Sequence, residues 1–203
     1  MGVGVSNWTL ARAVSRTGQL GVVSGAALAT APARRLQLGT AFAFCEESGL
    51  TPEVKAAALR RSRAGTARVF TDPRASPTGF PFKTLGAEGT LSEESVYRER
   101  KRGCDLGYLR TPYRREDGSV GYRFPGEPED DYLRKGGTLE ATQGRKCVCN
   151  GLFAAIGLGQ TGDGKAEPPL ITAGDDVSRI AEFLPEGKES YVAADVVEAL
   201  LGR

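Results

Sequence analysis

The sequence predicts an α/β fold, and three observations carry that expectation. An amphipathic helix, a glycine and a β-branched strand follow one another within about twenty residues of the start, which is half of a βαβ unit. A second apolar strand, "RLQLGTAFAF" (Arg35–Phe44), comes soon after. The chain of 203 residues is 40% hydrophobic and 26% charged, a globular composition with room for one large domain or a domain and an appendage.

The elements follow in order. Ser6 is placed to cap a helix whose stripe is Leu10, Ala11 and Val14, ending at Gly18. "QLGVVSG" (Gln19–Gly25) reads as a short buried strand. After Arg35–Phe44 comes the polar turn "CEESG", then a helix capped by Thr51, with Pro52 in its first turn and Gly65 beyond its end. Lys55, Arg60, Arg61 and Arg63 on that helix read as a solvated face rather than a nucleic-acid contact.

From Val69 to Gly126 the character changes, because Pro73, Pro77, Pro81, Pro112 and Pro125 interrupt any long element. "YRREDGSVGYRF" predicts a hairpin turning at Asp117-Gly118. "GRKCVCNGLFAAIGLGQ" (Gly144–Gln160) predicts a helix, buried over Cys147–Ile156, that ends at its glycines. The tail closes with "VSRIAEFL" and "SYVAADVVEALLGR", where Val192, Val196, Val197, Leu200 and Leu201 share one helical face. There is no internal repeat. Two parts result: residues 1–65, and a mainly helical, Pro- and Gly-rich subdomain over residues 66–203.

Composition narrows the chemistry. The chain has no histidine, which excludes a Ser–His–Asp hydrolase, a His-ligated zinc enzyme and a His-ligated haem. The net charge of +2 argues against a dedicated polyanion binder. Four unevenly spaced cysteines point to a reduced, cytoplasmic setting rather than a secreted disulfide scaffold. No apolar run approaches the roughly 18 residues of a membrane span. Residues 1–45 carry Arg12, Arg16, Arg34 and Arg35 without an acid, as a transit peptide would, yet Gly18, Gly21 and Gly25 punctuate them like element ends.

Two side-chain groups invite a chemical reading. Cys147 and Cys149 form a C-x-C pair that would hold zinc or an iron–sulfur centre only if Cys45 or Cys104 joined them. Inside an apolar run such a pair reads better as small-residue packing, so no metal site is expected. Glu46 and Glu47 end the second strand, where adjacent side chains would face opposite sides. They do not make a catalytic carboxylate pair.

The stretches "MGVGVSNWTLARAVSRTGQLGVVSG", "LGTAFAFCEESG", "TDPRASPTGFPFK", "CDLGYLR" and "GRKCVCNGL" together resemble the nitronate monooxygenases, formerly 2-nitropropane dioxygenases, in their branch with a long C-terminal extension. The resemblance implies an FMN-dependent oxidoreductase on a (β/α)₈ TIM barrel, oxidising alkyl nitronates with O2. It implies a small nitronate-like substrate and neither nucleic acid nor membrane as partner. In that comparison "MGVGVS" follows the first barrel strand and "LGTAFAF" resembles the eighth. Only a dozen residues separate "VVSG" from "LGTAFAF" here, whereas a barrel needs about 250 residues. The expectation is therefore an internally deleted barrel, its start and end joined near residues 35–40 and the strand before Met1 lacking. Only the first helix and last strand would remain.

By the same resemblance, Met1, Gly2, Val3 and Gly4 lie against the flavin ring, and Gly39 and Thr40 meet the FMN phosphate. Without it, Gly39–Thr40 reads equally well as a bend in a strand, and Ser6 as a helix cap. The family's catalytic histidine has no counterpart here, so the catalytic residues stay unassigned. FMN binding is expected to be weak or absent, and a non-catalytic remnant acting as an interaction module is the alternative function.

Overall fold

The computed structural model describes residues 8–18, 39–72, 82–104, 106–162 and 164–201. Ser6, the strand expected over Gln19–Gly25 and the loop Met1–Gly4 lie outside them. Helix α1 (Trp8–Arg16) buries Leu10 and Val14 and stops at Gly18, as the stripe required.

The strand expected over Arg35–Phe44 is corrected where it is described: Thr40–Ala43 is a short helix, α2. Burial explains the difference. Thr40, Ala41, Ala43, Phe44 and Cys45 are all buried, so this apolar run has no outward face. Such a run satisfies a buried helical turn as well as a buried strand, and periodicity cannot separate the two. The parallel strand pair that the α/β expectation placed in residues 1–44 does not appear among the described residues.

Helix α3 (Pro52–Arg63) forms as its ends dictate. Thr51 Oγ1 accepts from Val54 N at 3.4 Å, and Pro52 sits in the first turn. Val54, Ala58, Leu59 and Ser62 face inward, while Arg60 and Arg63 are exposed. Strands β1 (Val69–Asp72) and β2 (Phe82–Leu85) then pair antiparallel. The 170–173 segment runs beside β2, with Leu85 N donating to Ile171 O at 2.8 Å and Ala173 N to Lys83 O at 3.2 Å.

Strands β3 (Thr111–Arg114) and β4 (Val120–Arg123) make the expected hairpin. Its turn needs a positive φ, which Gly118 supplies at +82°, and Asp117 Oδ1 accepts from Ser119 N at 2.9 Å. A third pair, β5 (Thr161–Gly162) and β6 (Lys165–Ala166), is minimal. Short helices α4 (Glu94–Glu99), α5 (Glu129–Arg134), α6 (Leu139–Thr142) and α7 (Cys149–Ala154) surround these hairpins. The burial expected over Cys147–Ile156 holds on one side: residues 147–151 and Ala155 are buried, while Leu152, Phe153, Ala154 and Ile156 are half-buried.

A run of 3₁₀ turns over Asp175–Phe183 and helix α8 (Ala193–Leu201) complete the chain. Val196 and Val197 are buried as their face predicts, but Leu200 and Leu201 remain about half exposed, at 45% and 49%. The main core joins both parts of the chain: Leu10, Phe44 and Leu59 meet Leu85, Ile180 and Val196. Two smaller clusters hold the rest, one around Tyr97, Val148 and Leu170, the other around Phe124, Cys147 and Cys149.

The fold is thus mixed α and β. Among the described residues every sheet is a two-stranded antiparallel pair, and no closed barrel is present. Among the same residues no helix is long and apolar enough to cross a membrane.

Candidate functional site

Gly39 and Thr40, the two described residues of the expected FMN site, stand at the start of α2. Gly39 is exposed. Thr40 is 2% exposed, and its Oγ1 accepts from Gly174 N at 2.9 Å, a contact spanning 134 residues. That hydroxyl ties the start of α2 to the entry of the 3₁₀ run. A Cβ on Gly174 would come within 2.8 Å of Thr40 Oγ1, so the Thr40 side chain closely approaches the Gly174 backbone. An FMN phosphate needs several convergent donors and a water-excluding wall. The described residues here offer one exposed glycine and one buried hydroxyl, too few accessible donors to fit that group.

The carboxylates that follow have structural partners. Glu46 and Glu47 lie in a turn rather than at a strand end. Glu47 accepts from Ala193 N at 3.0 and 3.2 Å, setting a negative side chain at the start of α8. Ser190 donates to Glu46, and Lys55 Nζ donates to Glu46 O at 2.8 Å and Ser48 O at 2.9 Å. The two acids hold the turn and the last helix together.

Between these contacts sits Cys45, with no exposed surface. Burial first, then the charge and hydrogen bond of Glu47, push its thiol from 9.0 up to about 12. The Tyr191 hydroxyl, which donates to Ala41 O, is also raised, by burial and then by Cys45 and Asp176. Both groups ionise more readily in the unfolded chain. Their contribution to stability is complete below the ordinary thiol value near 9.0 and is lost as pH rises toward about 12. The urea midpoint, followed by circular dichroism, should hold up to about pH 9 and fall with each further unit. A midpoint constant into strong alkali would show that neither group is buried as described.

The remaining cysteines converge. Cys147 and Cys149 are 1% and 6% exposed and belong to one cluster with Phe124, against which half-buried Cys104, Leu106 and Leu109 pack. The loop bearing Cys104 is held from two directions. Tyr108 stacks on Phe153 of α7, with ring centroids 6.0 Å apart and planes 1° from parallel. Gly107, at φ +78°, lets the loop turn so that Arg110 Nε donates to Cys104 Sγ at 3.3 Å. Cys149 is raised, first by its hydrogen bond with Cys147, then by burial, then by the charges of Cys147 and Cys104. No group of three or more His, Cys, Asp or Glu side chains among the described residues is arranged to hold a metal ion.

Neighbouring polar side chains frame this cluster. Arg102 donates to three carbonyls, of Glu127 at 3.0 Å, Thr142 at 3.1 Å and Pro125 at 2.6 Å. Asn150, 3% exposed, donates to Gln160 O at 2.9 Å and accepts from Gln160 N at 2.7 Å, closing the segment after α7. The cysteine spacing alone could have drawn attention to Cys147 and Cys149. Nothing local announces Arg110, because its partner lies six residues back around a turn.

Among the described residues, fold and site define a mixed α/β chain with three short antiparallel strand pairs and a thiol cluster of two buried cysteines and one half-buried. No known protein family, curated protein or solved structure matches it.

Proposed function

We propose that the chain is related to the FMN-dependent nitronate monooxygenases, whose activity is the oxidation of alkyl nitronates with O2, and that in this form it acts as a non-catalytic interaction module. The five stretches quoted above support the relationship. On this reading α1 and the residues around Gly39–Thr40 are the remnant of a (β/α)₈ barrel, and residues 66–203 are the C-terminal extension. A reduced cytoplasmic setting suits its four cysteines, which form no disulfide in the structure.

The observation that carries the non-catalytic half is the state of Thr40: buried, with its hydroxyl accepting from Gly174 N. Each charge-assisted hydrogen bond missing from a phosphate site costs about 1.5–3 kcal/mol. Three such losses move a micromolar site to roughly millimolar or weaker. Purified protein titrated with FMN is therefore expected to stay colourless after desalting, with a dissociation constant near 1 mM or above. Stoichiometric yellow protein with a dissociation constant below about 10 µM, consuming O2 when given a nitronate, would overturn the reading.

A further inference from the structure

We propose that Cys104 and the Cys147–Cys149 pair form an oxidation site for low-molecular-weight disulfides, in which Cys104 attacks the disulfide to form a mixed disulfide and one thiol of the pair resolves it. The inference is independent of the relationship proposed above.

Three features of the cluster divide the labour. Cys104 is the half-buried member, reachable from solvent, whereas Cys147 and Cys149 lie beneath it. Arg110 is exposed and donates to Cys104 Sγ, setting a cation against the sulfur that carries negative charge as it attacks. The Tyr108–Phe153 stack and the packing of Leu106 and Leu109 hold this loop on α7, which bears Cys149, and on the cluster that includes Cys147. An accessible, cation-paired thiol packed against a cluster that holds further thiols is the arrangement that condenses to a disulfide instead of stopping at a capped cysteine. Cys45 is the internal contrast: equally reduced, but with no exposed surface and bonded to Phe42 O at 3.2 Å.

The steps balance. The Cys104 thiol loses its proton to solvent, and the thiolate attacks one sulfur of RS–SR. A Cys104 S–S bond forms, the RS–SR bond breaks, and RS⁻ leaves to take up a proton. Cys147, deprotonated in turn, then attacks Cys104 Sγ and expels the second RS⁻, which takes up a proton. Two protein thiols are oxidised and one small disulfide is reduced to two RSH.

The test is exposure of the reduced, full chain to oxidised glutathione, followed by alkylation, trypsin and non-reducing mass spectrometry. Trypsin places Cys104 in the peptide Gly103–Arg110 and both partners in Cys147–Lys165. The expected product is those two peptides joined by a disulfide, with Cys45 alkylated only after denaturation. Cys104→Ser should abolish glutathione-dependent oxidation of the Cys147–Lys165 peptide, and Arg110→Gln, which keeps every thiol, should slow the cross-link about tenfold. Persistence of glutathione on Cys104, a bond confined to Cys147 and Cys149, or an unchanged rate in Arg110→Gln would each overturn the proposal.

Discussion

Truncating Ile180 to alanine is expected to lower the free energy of unfolding by about 2–5 kcal/mol. Ile180 has no exposed surface and sits in the cluster where α1, α2, α3, β2 and α8 meet. The loss depends on whether the surroundings can close the cavity, and here they are pinned. Ser62 Oγ of α3 donates to Ser178 O at 2.9 Å and accepts from Ala181 N at 3.1 Å, clamping the 3₁₀ run on both sides of Ile180. The void therefore stays open, and the cost belongs in the upper half of that range. Urea denaturation followed by circular dichroism reads it directly. A loss below about 1 kcal/mol would mean that the run collapses freely, against the Ser62 clamp.

Replacing Glu167 by alanine is expected to cost about 3–5 kcal/mol. Its Oε1 lies 2.6 Å from Arg100 Nε, and the two side chains are only 12% and 8% exposed. The pair joins the end of α4 to the strand segment after β6, 67 residues away. Removing the carboxylate takes away the acid 2.6 Å from a guanidinium in a place that water reaches poorly. Converting both residues, Arg100→Met with Glu167→Leu, removes the charge together with its partner and should be milder than Glu167→Ala alone. A double-mutant cycle in urea measures the difference. Equal losses for the single and double changes would show that the pair is effectively solvated.

Much of this was legible in the sequence wherever the cause is local. Thr51, Pro52 and Gly65 mark α3 because a cap, a fixed φ and a stop act within one turn of the residue that carries them. Asp117-Gly118 marks its hairpin for the same reason. Arg35–Phe44 misled because its apolar content fits strand and buried helix alike, and where it is described, at Thr40–Ala43, it is a buried helical turn. The α8 face was read correctly in its first half, yet Leu200 and Leu201 stay about half exposed at the end of the helix.

The sequence by itself determined the Thr51 cap, the hairpin turn, the inward stripe of α1, the exposure of Arg60 and Arg63 on α3, and the absence of histidine chemistry. These depend on a residue's own φ, donors and polarity. Only the tertiary structure decided that Thr40 spends its hydroxyl on Gly174, that Glu47 faces α8, and that Cys104 meets Cys147 and Cys149 beside Arg110. Those juxtapositions join residues far apart in the chain. The free energy that selects them comes from burying the shared core, which no single segment contains.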